Sequence, residues 1–220
     1  MSSVADLLTE TAHNVFKRET DDPWKEVNNA GLADIAGELS FPDVAAIVRI
    51  SAYHATEIEF AERVMLSDPA DQLRGALMRS VQIVGALDRV LEMTVRYAKE
   101  RQQFGQAINR FQAVQQQIAQ LAGHTAYAGA AVSAAVSLPD DLRMVATAKI
   151  CAGHAAGAAS AIAHQVHGAI GFTHEHQLHR WTTKLWRWRD DYGSEAYWAR
   201  ELGANLMASG ADRAWEGIAG

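Results

Sequence analysis

The sequence predicts an all-α chain, a helical bundle preceded by a short helical region. Three observations carry this. Apolar residues recur every three or four positions over long stretches, the spacing that gathers them on one side of a helix. Period-two alternation bounded by turn dipeptides is missing, so strand signals fail. Only 4 prolines occur (Pro23, Pro42, Pro69, Pro139), each where a helix starts or a loop runs.

The elements follow in order. Val4, Leu7, Leu8, Thr11 and Val15 form a first apolar stripe, stopped near Asp21-Asp22-Pro23. Phe41-Pro42-Asp43 opens a second helix carrying Val44, Ile47, Val48 and Ile50, continuing toward Val64 until Ser67-Asp68-Pro69 breaks it. The third is long, with Leu73, Leu77, Val81, Val84, Leu87, Leu91, Val95 and Ala98 on one face and Phe104-Gly105 at its end. A fourth starts near Arg110. Pro139-Asp140-Asp141 places a turn and acidic residues where a helix dipole favours them. The fifth, Leu142 to about His167, is rich in Ala and Gly, which allow close approach and a central place in the bundle. Gly168-Ala169-Ile170-Gly171 interrupts the pattern. A last helical region runs from His176 to Met207 with a break at Gly193, and the tail after Ser209 is expected to fray.

Composition narrows the classes. Acids exceed Lys and Arg for a net charge of −6, which argues against chain-wide attraction to nucleic acid or anionic membrane. No apolar run is long enough to span a bilayer, and the acidic N-terminus does not read as a secretory signal. The single cysteine, Cys151, excludes an internal disulfide framework and fits the cytoplasm.

Four constellations carry chemistry. Arg101, Gln103, Phe104 and Gly105 put a rigid cationic fork, an amide and an aromatic face at one turn, a set suited to a nucleotide-like cofactor. The same residues also read as a polar, Gly-capped helix end. Gln165-Val166-His167-Gly168-Ala169-Ile170-Gly171 is either a capped helix end or a turn whose N–H groups can hold an anion. His164 and His167 sit one turn apart, and His174, His176 and His179 follow. No Cys or convincing carboxylate accompanies them, although Glu175 is near, so no metal is assigned and they read as hydrogen-bonded histidines at a helix junction. Trp186-Arg187-Trp188-Arg189 could stack on bases, but the adjacent Asp190-Asp191 favours core tryptophans with paired arginines.

The string Tyr97-Ala98-x-x-Arg101-x-Gln103-Phe104-Gly105-x-x-Ile108, followed by Phe111-Gln112-Ala113-Val114-Gln115, resembles the opening of the C-terminal helical domain of acyl-CoA dehydrogenases. The resemblance covers residues 72–208, with 1–66 similar to an abbreviated N-terminal helical region. It implies that Arg101, Gln103 and Phe104 contact FAD held mainly by a neighbouring subunit. Gln165, Gly168 and Gly171 match that family's second FAD motif, and Ala169 replaces its second glycine. The segment from Gly171 to His179 is similar to dehydrogenases of actinobacterial steroid and branched acyl-CoA breakdown. The family's proton-abstracting carboxylate falls by count on Asp190, with Asp191 and Glu195 as rivals.

Between Pro69 and Gln72 there is no room for the central β-domain of that family. The resemblance therefore implies a subunit of a homo- or hetero-oligomer that works with a full-length relative on an acyl-CoA substrate. Two alternatives stay open. One is a flavin-free scaffold that keeps the bundle for oligomerisation. The other is an enzyme that reuses the histidines and Asp190 for different acid–base or metal chemistry.

Overall fold

The computed structural model describes residues 4–173 and 175–208. Its α-helices are α1 (Val4–Phe16), α2 (Pro23–Asn29), α3 (Phe41–Tyr53), α4 (Phe60–Met65), α5 (Gln72–Glu100), α6 (Gln112–Ser137), α7 (Leu142–His167), α8 (Leu178–Asp190) and α9 (Glu195–Ala208). Short 3-10 segments occupy Ile35–Gly37, Ile108–Arg110 and Gly168–Phe172. A minimal hairpin pairs β1 (Gln102–Gln103) with β2 (Gln106–Ala107). The expected tail after Ser209 lies outside the described residues, as does His174.

Side chains close the helix starts. Asp71 accepts from the Arg74 N–H at the head of α5. Asp141 accepts from the Arg143 and Met144 N–H groups at the head of α7. Such caps satisfy amides that have no partner inside the helix. Pro23 differs from expectation. It does more than stop α1, because with Asp22 accepting from Lys25 N–H it also opens α2. The continuation of α3 toward Val64 fails as well. The chain turns after Tyr53, with Ala55 at φ 52, and restarts as α4.

Two helices organise the rest. α5 packs against α3, α6, α7 and α8, and α7 packs against α5, α6, α8 and α9. The face of α7 explains its central place: Ala148, Ala152, Ala155, Ala156, Ala159 and Ala163 are all fully buried. Small side chains let neighbouring backbones come close. At Gly153 a β-carbon would fall within 2.7 Å of Glu195 in α9. The same device joins α3 to α5, where a β-carbon on Gly85 would fall 2.1 Å from the Arg49 carbonyl oxygen. One apolar cluster runs from Ala12 in α1 to Trp198 in α9. Each large aliphatic side chain fully removed from water, such as Leu77, Leu87, Leu121 or Leu185, contributes about 1.5–3 kcal/mol.

Two buried cations hold the turn between α8 and α9. Arg79 of α5 donates to Glu62 of α4 at 2.6 Å and to Asp191 at 3.0 Å. Lys149 of α7 is 0 % exposed. Its ammonium donates to the Trp188 carbonyl at 2.5 Å and the Arg189 carbonyl at 3.0 Å, oxygens that the end of α8 leaves open. Burial lowers the Lys149 pKa to about 8 from its ordinary 10.5, and the charge of Asp191 opposes the shift. Below pH 8 the native state carries the full penalty of a buried charge. Between the two values the unfolded chain binds more protons, so stability rises with pH over that window, by about 3 kcal/mol in all. Lys149→Met should remove this rise. Urea denaturation of both proteins from pH 7 to 10 measures it, and equal slopes would show that Lys149 does not titrate in this way.

Candidate functional site

The site begins where α5 ends. The Arg101 N–H donates to the Tyr97 carbonyl and the Ile108 N–H to the Arg101 carbonyl, both at 2.8 Å. Between them the chain reverses in two residues, Phe104 at φ 51 and Gly105 at φ 78. Two consecutive positive φ angles are the mark of a type I′ hairpin turn. Glycine adopts that backbone freely. Phenylalanine does so at a cost of about 1–3 kcal/mol. The strained residue presents its ring to solvent, 92 % exposed, in edge contact with Phe111 at 6.2 Å.

The end of α7 supplies the opposite wall. Gly168 leaves the helix at φ 65 and its N–H donates to the His164 carbonyl. A cleft of about 670 Å³ lies between the two motifs. Arg101, Gln103 and Phe104 line one side, and Gln165, Gly168 and Ala169 line the other. Ile108, Phe111 and Val114 add apolar surface. Arg101 has no carboxylate within ion-pair distance among the described residues. The cleft therefore offers one uncompensated guanidinium, the three side-chain amides of Gln103, Gln117 and Gln165, and an aromatic face, a set that fits a phosphate-bearing planar ligand.

Gly171 does not line this cleft. It is buried behind it, where a β-carbon would come within 2.9 Å of the His167 Cβ and 3.4 Å of the His164 Nδ1. Its lack of a side chain lets the 3-10 segment lie against the end of α7. Tyr97, His167 and Gln117 also line the cleft, and none of them was assigned a cofactor contact from sequence. Phe111, Val114 and Gln117 are spaced by three, so a helical count onward from the motif would have reached Gln117.

The histidines form the wall beneath. His167, 3 % exposed, pairs through Nδ1 with the Ala163 carbonyl at 2.8 Å and stacks on Tyr97 at 4.4 Å. The Tyr97 hydroxyl donates to the His167 carbonyl at 3.2 Å. His176 meets His167 edge-on at 4.7 Å. His164 pairs with the Thr182 hydroxyl at 3.1 Å and stacks on Phe172 at 4.4 Å. Burial lowers the His167 pKa to about 4 and lowers those of His164 and His176 as well. His167 is thus neutral at pH 7, a packing ring rather than a charge. Among the described residues no three His, Cys, Asp or Glu converge as metal ligands.

Asp190 stands elsewhere. It ends α8, is exposed, and lines a separate cleft of about 580 Å³ with His154, Arg189 and Glu195. Gly153 in that cleft and Gln165 in the first are twelve residues apart on α7, about 18 Å along the axis. Asp191 is held by Arg79. Glu195, 8 % exposed, is held by Arg189 at 2.5 Å. Asp190 is the one of these three carboxylates with no ion pair among the described residues.

The profile of the acyl-CoA dehydrogenase C-terminal domain matches residues 73–188. The chain belongs to the acyl-CoA dehydrogenase family. It is 32% identical over 163 residues to acyl-CoA dehydrogenase IpdE2 of Mycobacterium tuberculosis, covering 70% of this chain and 51% of that protein. The chain thus spans about half the length of this curated relative. The fold is similar to a chain of the ChsE4-ChsE5 complex from Mycobacterium tuberculosis (TM-score 0.85, 15% identity, 96% of this chain and 99% of that one). It is also similar to PigA, solved with FAD and proline (TM-score 0.59, 26% identity, 63% and 37% covered). The hairpin turn that carries Phe104 lies within the family match.

Phe104→Asn should relieve the hairpin, because asparagine before glycine suits a type I′ turn. The expected gain is about 1 kcal/mol, read as a rise of about 2–4 °C in the thermal midpoint. An unchanged or lower midpoint would show that the turn is not strained by its phenylalanine.

Proposed function

We propose that this chain is a subunit of a hetero-oligomeric acyl-CoA dehydrogenase of the cytoplasm. In this reading it lends one wall of an FAD site to a related full-length partner. The assembled enzyme desaturates an acyl-CoA thioester between its α and β carbons. The observation that supports this most strongly is the cleft itself. Two motifs some sixty residues apart, at 101–104 and 165–168, meet around one unpaired guanidinium and one strained, exposed aromatic ring.

The residues present fit the cofactor in kind. Arg101 would meet a phosphate, Gln103 and Gln165 would bond to ring edges or sugar hydroxyls, and Phe104 would cover an aromatic face. Gly168 keeps a side chain out of the approach, and Gly171 supports that loop from behind. FAD, when bound, supplies the hydride acceptor. The residues of the Arg101 cleft contribute binding and exclusion of water. The cleft leaves the Phe104 ring 92 % exposed, and a flavin needs contacts on both faces to bind tightly. The similarity to a chain from a two-component complex supports a partner as the source of the second wall.

Co-expression with a full-length dehydrogenase relative tests the reading. The expected product is a yellow complex with stoichiometric FAD. Arg101→Ala should lower FAD retention by about tenfold or more, the worth of one hydrogen bond to a charged group. A colourless mixture without association would end the proposal. Association with no effect of Arg101→Ala would favour the flavin-free scaffold.

The base is assigned by a separate variant. Asp190→Asn should reduce turnover of the complex by about a hundredfold or more if this chain supplies the proton acceptor. Unchanged turnover places that carboxylate on the partner.

A further inference from the structure

A further cavity, of about 400 Å³, lies where the end of α1, the turn after α3, the middle of α5 and the start of α8 meet. Its floor is apolar, with Val15, Phe16, Val27 and Ala55 all buried. Its rim is cationic. Lys17, Arg18, Arg89 and Arg180 all line it, in a chain whose overall charge is −6.

Partners account for only part of that charge. Arg18 is held by Glu26 at 2.6 Å, and Arg89 by Glu92 at 2.8 Å. Glu57, one of two carboxylates in the lining, is held by Lys184 at 3.5 Å, and the other, Glu19, is exposed. Lys17 and Arg180 have no carboxylate within ion-pair distance among the described residues. The Arg89 and Arg180 guanidiniums both lie beside the Trp181 ring, at 5.6 and 5.7 Å from its centroid. Glu92 matches the Arg89 charge, so Arg180 is the guanidinium beside that ring left without a counter-charge among the described residues. His54 adds a ring without a charge. It pairs with His13 at 2.9 Å, and burial, then His13, lower its pKa to about 4.

We propose that this cavity binds a small amphiphilic anion, its oxyanion head against Arg180 and Lys17 and its short apolar body over Phe16 and Val27. A bare inorganic anion leaves the apolar floor wet, and a neutral hydrocarbon leaves the guanidinium uncompensated. A ligand with both parts satisfies both, and the cavity has the size of small-molecule sites. The site is separate from the flavin cleft and does not depend on how that cleft is used.

Calorimetric titration of the full chain at low salt provides the test, with four probes kept below their micelle concentrations: octanoate, octyl phosphate, octan-1-ol and inorganic phosphate. Saturable one-to-one binding of octanoate or octyl phosphate is expected, at least about tenfold tighter than octan-1-ol or inorganic phosphate. The tighter of the first two identifies the head group as carboxylate or phosphate. Arg180→Gln should weaken that binding by about tenfold, and Lys17→Ala by less, since its side chain is exposed. Circular dichroism melts establish that both variants fold. The proposal is overturned if neither amphiphile saturates, if octan-1-ol or inorganic phosphate binds equally well, or if folded Arg180→Gln binds like the parent.

Discussion

The close approach of α7 to its neighbours is the constraint on which the other features depend. Alanines along its buried face allow α5 and α6 to close in, and Gly153 admits Glu195 from α9. Because α7 is fixed on several sides, both of its ends are fixed too. Its C-terminal end presents Gln165 and Gly168 to the hairpin after α5. Its middle carries Lys149 and Gly153 to the turn after α8. One rigid rod therefore sets the distance between the Arg101 cleft and the Asp190 cleft. The buried ammonium of Lys149 adds specificity at that turn, since only a donor reaching this depth closes the carbonyls at the end of α8.

The Arg101 cleft shows the opposite economy. Phe104 is held in a backbone region that phenylalanine seldom occupies, and its ring faces water. Neither feature helps the chain fold. The hairpin tolerates both because its two ends are tied at Arg101 and Ile108. Beneath it, neutral His167 stacked on Tyr97 makes the wall firm without adding a charge that would compete with Arg101. A site that keeps one free cation over a neutral, packed base is suited to anion recognition.

Much of the fold was legible in the sequence because helix starts carry their own chemistry. Pro42 with Asp43, and Pro139 with Asp140 and Asp141, mark the starts of α3 and α7 directly. Legibility failed where one residue can do two things. Pro23 stops a helix or opens one, and only packing of Val27 into the core decides for α2. The break after Tyr53 carries no Gly or Pro, so nothing local announces Ala55 in a left-handed conformation. At the site, the motif strings named Arg101, Gln103, Phe104, Gln165 and Gly168, but their convergence is tertiary and could not be read from spacing. Gly171 belongs to the same string yet faces the core, because a 3-10 turn rotates it away from its neighbours. Asp190 was placed by counting, and counting carries no information about exposure.

The alanine face of α7 also governs how this chain can change over time. On most helices a buried position accepts several aliphatic residues, since neighbours adjust by a rotamer. Along this seam a larger side chain meets backbone or a helix already anchored elsewhere, so added volume has to move a whole helix. Volume added there is therefore expected to destabilise the chain more than volume added on the outward face of α6.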